Sequence, residues 1–131
     1  DDGDVDVLVK SQDNDLNYGV RALSNSDNGS ASFTLSGEIY SSTLCSDEGN
    51  RGMAVGDMDG DGHADVVLGD DCNGSAHIAY GDGNGGFSSI QQTNRAALGT
   101  DEAENVFVGA SNNDGAPDIF MYDYSEISIL Y

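Results

Sequence analysis

Gly56-Asp57-Met58-Asp59-Gly60-Asp61-Gly62-His63-Ala64-Asp65 runs straight into Val66-Val67-Leu68-Gly69, and the reading of the chain turns on this stretch. Asp57, Asp59 and Asp61 alternate, and Asp65 closes the run. Left to themselves these carboxylates repel one another. A hard cation with several oxygen ligands relieves that repulsion, and Ca²⁺ suits the donor type and number best. Gly60 and Gly62 allow the backbone to curl, because glycine enters φ > 0 without a Cβ clash. His63 is expected to offer its backbone carbonyl rather than its ring.

An EF-hand is the nearest rival. It requires a bidentate Glu at the twelfth loop position and a helix on each side. Counted from Asp57, the twelfth residue is Leu68, which has no ligand atom. The last acid is instead followed at once by a β-branched apolar run, which predicts a buried strand. The stretch therefore reads as a cation loop feeding a strand. The plain alternative is a solvated acidic turn.

The 131 residues suffice for one domain with a modest core. Twenty-four acids face only Lys10, Arg21, Arg51 and Arg95, a net charge of −20. Such a chain repels nucleic-acid phosphates and anionic membrane surfaces, so neither partner is expected. The acids cluster with Gly, Asn and Ser in loops, as metal ligands do; halophile-like solubility is the bland alternative. No apolar run is long enough to span a membrane, so no membrane insertion is expected. The chain shows no signal peptide and no initiator Met, so it reads as processed or as a piece of something longer.

Cys45 and Cys72 would pair in an oxidising setting. Closing that loop contributes about 3–4 kcal/mol in the chain-entropy model. Two separate buried thiols are the other reading. Asn28-Gly29-Ser30 and Asn73-Gly74-Ser75 are glycosylation sequons, a weak pointer to a secreted or cell-surface protein because Asn/Ser-rich chains form them by chance.

The central loop recurs at both ends of the chain. Asp1-Asp2-Gly3-Asp4-Val5-Asp6 before Val7-Leu8-Val9 looks like the same loop without its front. Aligned on the last acid, Asp6 matches Asp65, Asp4 matches His63 and Asp2 matches Asp61. Gly109-Ala110-Ser111-Asn112-Asn113-Asp114-Gly115-Ala116-Pro117-Asp118 precedes Ile119-Phe120-Met121. There Asp118 matches Asp65, Asp114 matches Asp61 and Asn112 matches Asp59. Ala110 replaces the first ligand, so this copy is expected to be weaker or empty. The spacing from Asp6 to Asp65 is 59 residues and from Asp65 to Asp118 it is 53. Asp47-Glu48 and Asp101-Glu102 recur in register ahead of the loops, either as outer ligands or as solvated turns. Met53-Ala54-Val55-Gly56 likewise matches Phe107-Val108-Gly109.

Each period predicts four short strands: Asp65 to Leu68, Ala76 to Tyr80, one beginning at Phe87, and Val106 to Val108. Short apolar runs between Gly/Asn/Asp turns argue an all-β fold, and no helix is expected. Val66, Val67, Leu68, Ile78, Phe87, Phe107 and Val108 are the expected core.

Together, Val55 to Gly69 and Tyr80-Gly81-Asp82-Gly83-Asn84-Gly85-Gly86-Phe87 resemble the FG-GAP/VCBS-type repeat of integrin-α-like β-propellers. The resemblance covers nearly the whole chain. It implies tandem four-stranded antiparallel blades, with a Ca²⁺ loop between the last strand of one blade and the first of the next. Junctions would then fall near 1–6, 57–65 and 110–118. It implies ligands at Asp57, Asp59, Asp61 and Asp65, with the His63 carbonyl. In the other copies Asp2, Asp4, Asp6, Asn112, Asp114 and Asp118 carry over. It also implies a secreted or cell-surface role in adhesion, carbohydrate binding or scaffolding. Propellers close with about four to eight blades, whereas this chain supplies two periods and a fragment. An incomplete or open array of this kind leaves apolar faces and edge strands exposed. Its expected partners are copies of itself or neighbouring blades of a longer chain, in the limit a filament. A compact three-blade-like module is the lesser reading.

Other signals are weaker. Gly81 to Gly86 satisfies GxGxxG, but no helix follows, Asp82 would repel phosphate, and a hairpin turn fits better. No GxSxG elbow is present, and the histidines are only His63 and His77. His77 reads as a surface or interface residue. Tyr122, Tyr124 and Tyr131 read as packing within the last sheet, or else as an assembly or sugar-stacking surface. No enzyme activity is expected. The leading expectation is a calcium-stabilised extracellular β-repeat protein with a structural or adhesive role. The alternative is a carbohydrate-binding module, or the accessory propeller of a larger secreted enzyme, with glycans as partners; the absence of Trp counts against it.

Overall fold

The computed structural model describes residues 5–12, 18–25, 32–42, 52–70, 74–88, 91–93, 103–122 and 126–131. Every regular element among them is a β-strand. In chain order these are β1 (Val7–Gln12), β2 (Tyr18–Asn25), β3 (Phe33–Ser42), β4 (Met53–Gly56), β5 (Asp65–Asp70), β6 (Ser75–Ala79), β7 (Gln91–Gln92), β8 (Asn105–Gly109), β9 (Asp118–Tyr122) and β10 (Ile127–Leu130). They pair antiparallel into three open sheets, ordered β1-β2-β3, β4-β5-β6-β7 and β10-β9-β8. The fourth strand of the middle sheet is only two residues long.

The middle sheet is packed on both faces. Val66, Leu68 and Ala79 meet Val20 of the first sheet, with Leu8, Met53 and Phe87 at the margin. Val67, Ala76 and Ile78 meet Ala103, Val106, Ile119 and Met121 on the side of the third sheet. Successive strand residues point to opposite faces, so a strand covered on both sides needs a continuous apolar run. That is why Val66-Val67-Leu68 does not alternate with polar residues, and why β5 is buried along its whole length.

The two interfaces differ in filling. Leu8 pairs with Ala22 as Val67 pairs with Ile78. Ala22 and Ser24 thus stand where the larger Ile78 and Tyr80 stand in the middle sheet. Their small size leaves a cleft of about 370 Å³ between the first two sheets, lined by Leu8, Ala22, Val55, Val66 and Phe87, with Asp6 and Ser24 also bordering it.

Several expectations change. Phe107 is 60% exposed and Val106 is buried instead, because Val106 and Val108 share the face of β8 turned to the core and Phe107 points to the opposite one. Phe87 and Val108 are half-buried. Phe87 forms a single bridge to Gly81, not the start of a long strand. His77 is buried rather than on the surface. The acidic loops do not join one sheet to the next: Gly56 pairs with Asp65 and Gly109 with Asp118, so each loop is a hairpin connection inside a sheet. The strand before each loop finds its partner directly after it, which costs the least loop-closure entropy. Tyr122 and Tyr131 are exposed, and Tyr124 lies outside the described residues. No helix among the described residues is long and apolar enough to cross a membrane.

Candidate metal centre

The central loop is held by its own carboxylates. Asp57 accepts the N–H of Gly60 on Oδ1 at 2.8 Å and that of Gly62 on Oδ2 at 3.0 Å. Asp59 Oδ1 accepts Asp61 N–H at 3.2 Å, and Asp61 Oδ1 accepts His63 N–H at 2.8 Å. Gly60 and Gly62 take φ of 79° and 88°, where a Cβ would be strained. The curl converges three side chains: one carboxylate oxygen each from Asp57, Asp59 and Asp61 lie within 4.8 Å of one another. This all-oxygen, partly exposed set is the donor chemistry of a hard divalent cation.

Asp65 does something different. Fully buried, it accepts Met58 N–H on Oδ2 at 2.6 Å and Gly81 N–H on Oδ1 at 2.8 Å. It ties the loop's start to the end of the next hairpin and lies outside the Asp57–Asp59–Asp61 group. The His63 ring packs over Gly83, whose added Cβ would lie 2.4 Å from the imidazole. Beneath it, Asp82 accepts the N–H groups of Asn84 and Gly86, each at 2.8 Å. These bonds hold the Asp82 carboxyl below its ordinary value, with a further contribution from nearby His63. The GxGxxG segment is thus a turn braced on its own aspartate.

The third loop repeats this wiring. Asp118 Oδ2 accepts Ser111 N–H at 2.6 Å, as Asp65 accepts Met58. Asn112 Oδ1 accepts Asp114 N–H and Asp114 Oδ1 accepts Ala116 N–H, both at 2.9 Å. Gly115 matches Gly62 at φ 89°. Ala110 offers no carboxylate where Asp57 has one, and Asn112 is neutral, so a cation would find far less charge here. The two loops are neighbours: Asp57, Ala110, Asn112 and Pro117 share the lining of a hollow of about 500 Å³. At the other end of the chain, Asp6 Oδ1 accepts Asn25 N–H at 2.8 Å, the counterpart of Asp65 accepting Gly81. Asp2, Asp4, Asp47-Glu48, Asp101-Glu102, Cys45, Cys72, Asn28 and Asn73 lie outside the described residues.

With two acid-clamped hairpins in register and the Asp6 clamp repeating part of the pattern, the profile of the FG-GAP-like repeat matches twice, at residues 1–68 and 57–121. The chain belongs to the FG-GAP-like repeat family. No curated protein and no solved structure matches it.

Two partners in this FG-GAP-like chain were invisible to sequence reading. The Ser111 hydroxyl donates to Asp118 Oδ2 at 2.6 Å; its signal is position, since Ser111 stands where Met58 stands in the complete loop. His77 Nε2 donates to Asp70 Oδ2 at 3.1 Å, inside the middle sheet. No motif marks that pair, because the pairing of β5 with β6 is what brings it together.

Proposed function

We propose that this chain is a calcium-stabilised, non-enzymatic FG-GAP-like repeat protein of the secreted or cell-surface type. Its role is structural or adhesive, within a larger array of blade-like sheets of the β-propeller kind. The observation that carries the reading is the convergence of Asp57, Asp59 and Asp61 oxygens within 4.8 Å on a glycine-curled loop. Bound Ca²⁺ offsets their repulsion and adds its binding free energy to folding. Asp57, Asp59 and Asp61 supply charge, and the His63 carbonyl is the expected neutral ligand. Extracellular modules bind with Kd of about 10⁻⁴ to 10⁻³ M, which suits calcium-rich surroundings. At a hundredfold excess over Kd the stabilisation is about 2.7 kcal/mol. Chelation with EDTA is therefore expected to lower Tm by about 5–15 °C. Asp61→Ala is expected to remove most of that calcium-dependent shift. Melts that are superimposable with and without EDTA would sink the reading.

The cleft between the first two sheets supports a second reading, carbohydrate binding, since Phe87 offers a ring beside Asp6 and Ser24. Saturable binding to one sugar class on a glycan array, lost in Phe87→Ala, tests it.

A further inference from the structure

The packing of the three sheets has a direction. In the middle sheet the first and third residues after the acid, Val66 and Leu68, face the first sheet, and the second, Val67, faces the third. In the third sheet the first and third, Ile119 and Met121, are buried against the middle sheet, while Phe120 faces outward. In the first sheet the second residue, Leu8, faces the middle sheet, while Val7 and Val9 are 38% exposed. Neighbouring strands follow the same rule. Val108 and Leu130 face inward beside Ile119, Val106 does so opposite Met121, and Phe107 and Ile129 flank Phe120 on the open side. Both joints between sheets therefore have one polarity: the second-residue face of one sheet covers the first-and-third-residue face of the next.

Among the described residues, one face of each kind is left open. The third sheet presents Phe107, Phe120, Ile127 and Ile129, with Phe107 and Ile127 60% and 62% exposed. The first presents Val7 and Val9, with Leu23 opposite Val7, the exposed Arg21 opposite Val9, and Leu35, 55% exposed, opposite Leu23. Exposed apolar sheet faces of this kind mark interaction sites. The two open faces are of the two kinds that meet at each internal joint. Side-chain sizes agree. Phe107, Phe120 and Ile127 stand where the middle sheet's face toward the third sheet has Ala54, Val67 and Ala76, and Val9 stands where its face toward the first sheet has the larger Leu68. Larger knobs thus face a shallower surface.

We propose that the open face of the third sheet docks head to tail onto the open face of the first sheet of a second copy of this chain. The inference rests on the structural role proposed above and names the partner in it. It continues the interface already present twice within the chain. A heterologous contact of this sort repeats from copy to copy, giving a filament, or a ring where the rotation closes. The net charge of −20 opposes association, so assembly is expected to need calcium or added salt.

The test uses the full chain in calcium-containing buffer, followed by light scattering and electron microscopy. Wild type is expected to form particles of more than two copies that grow with concentration. Phe107→Glu and Leu35→Glu change exposed positions on opposite ends, and each variant alone is expected to stay a single chain. An equimolar mixture is expected to give two-chain particles and nothing larger, since one intact face of each kind remains. Wild type that stays a single chain at every concentration overturns the proposal. So does Leu35→Glu pairing with itself, which would make the contact symmetric. Melts of Phe107→Glu with and without EDTA are run alongside. A retained calcium shift without wild-type assembly separates failure of the docking from failure of the calcium reading.

Discussion

Asp59 and Asp65 differ by six positions and have opposite jobs. Asp59 is exposed, aimed with Asp57 and Asp61 at a common point. Asp65 is buried, with both oxygens taken by backbone N–H groups. Asp65→Ala leaves the buried Gly81 N–H unsatisfied, at about 1–3 kcal/mol, and frees the part-buried Met58 N–H as well. It is expected to lower Tm with or without calcium, whereas Asp59→Ala lowers it only when calcium is present. Equal losses in EDTA for both would contradict this division. Asp118 is the Asp65 counterpart, held below its ordinary 3.8 by the Ser111 hydroxyl first and the Ser111 N–H second. A depressed carboxyl contributes stability above its unfolded value and loses it as pH falls through the lower native value. Ser111→Ala is expected to raise the Asp118 value toward 3.8, measured by carboxyl NMR titration, and to lower stability at neutral pH. The difference from wild type should vanish once the pH is below both native values. An unmoved titration would refute the assignment.

Strand β5 is the element through which the sheets communicate. Its end lies so close to the segment entering β8 that a Cβ on Gly69 would meet Ala103 O at 2.5 Å and Val106 Cγ2 at 2.8 Å. Gly69→Ala must push the middle and third sheets apart, and overpacking of this kind costs about 1–3 kcal/mol. Chemical denaturation is expected to show that loss with the calcium-dependent shift intact, because the Asp57–Asp61 loop is at the other end of the strand. A variant as stable as wild type would mean the interface is looser than described. The four-residue run from Asp65 to Leu68 announced β5, and the turn residues announced the hairpin around Asp82. The Asp70–His77 pair was not legible, since nothing in either segment alone points to the other.

Taken whole, the molecule is a stack of hairpin-built sheets carrying far more acid than base. Self-repulsion opposes the compact state and is screened by salt. Raising NaCl in EDTA is therefore expected to increase Tm, and the increment from added calcium is expected to shrink at high salt. A melt indifferent to ionic strength without calcium would show that the acids sit too far apart in the fold to matter. The two open sheet faces belong to this level as well. Phe107 looked like core because apolar residues in a strand usually are, yet no sheet among the described residues covers its face.

The order of residues was enough to give the all-β class, the period, the acid-glycine loops and the strand that follows each one. Those features are local: ligand spacing, turn conformation and two-residue alternation act within a few positions of each other. The tertiary structure alone decided that each loop closes a hairpin inside a sheet and that Asp65 clamps backbone instead of joining the Asp57–Asp59–Asp61 group. It also decided which of Val66 and Val67 faces which neighbour. Those outcomes depend on which sheets pack against which, and hydrophobic burial, being non-directional, writes no address for its partner into the sequence.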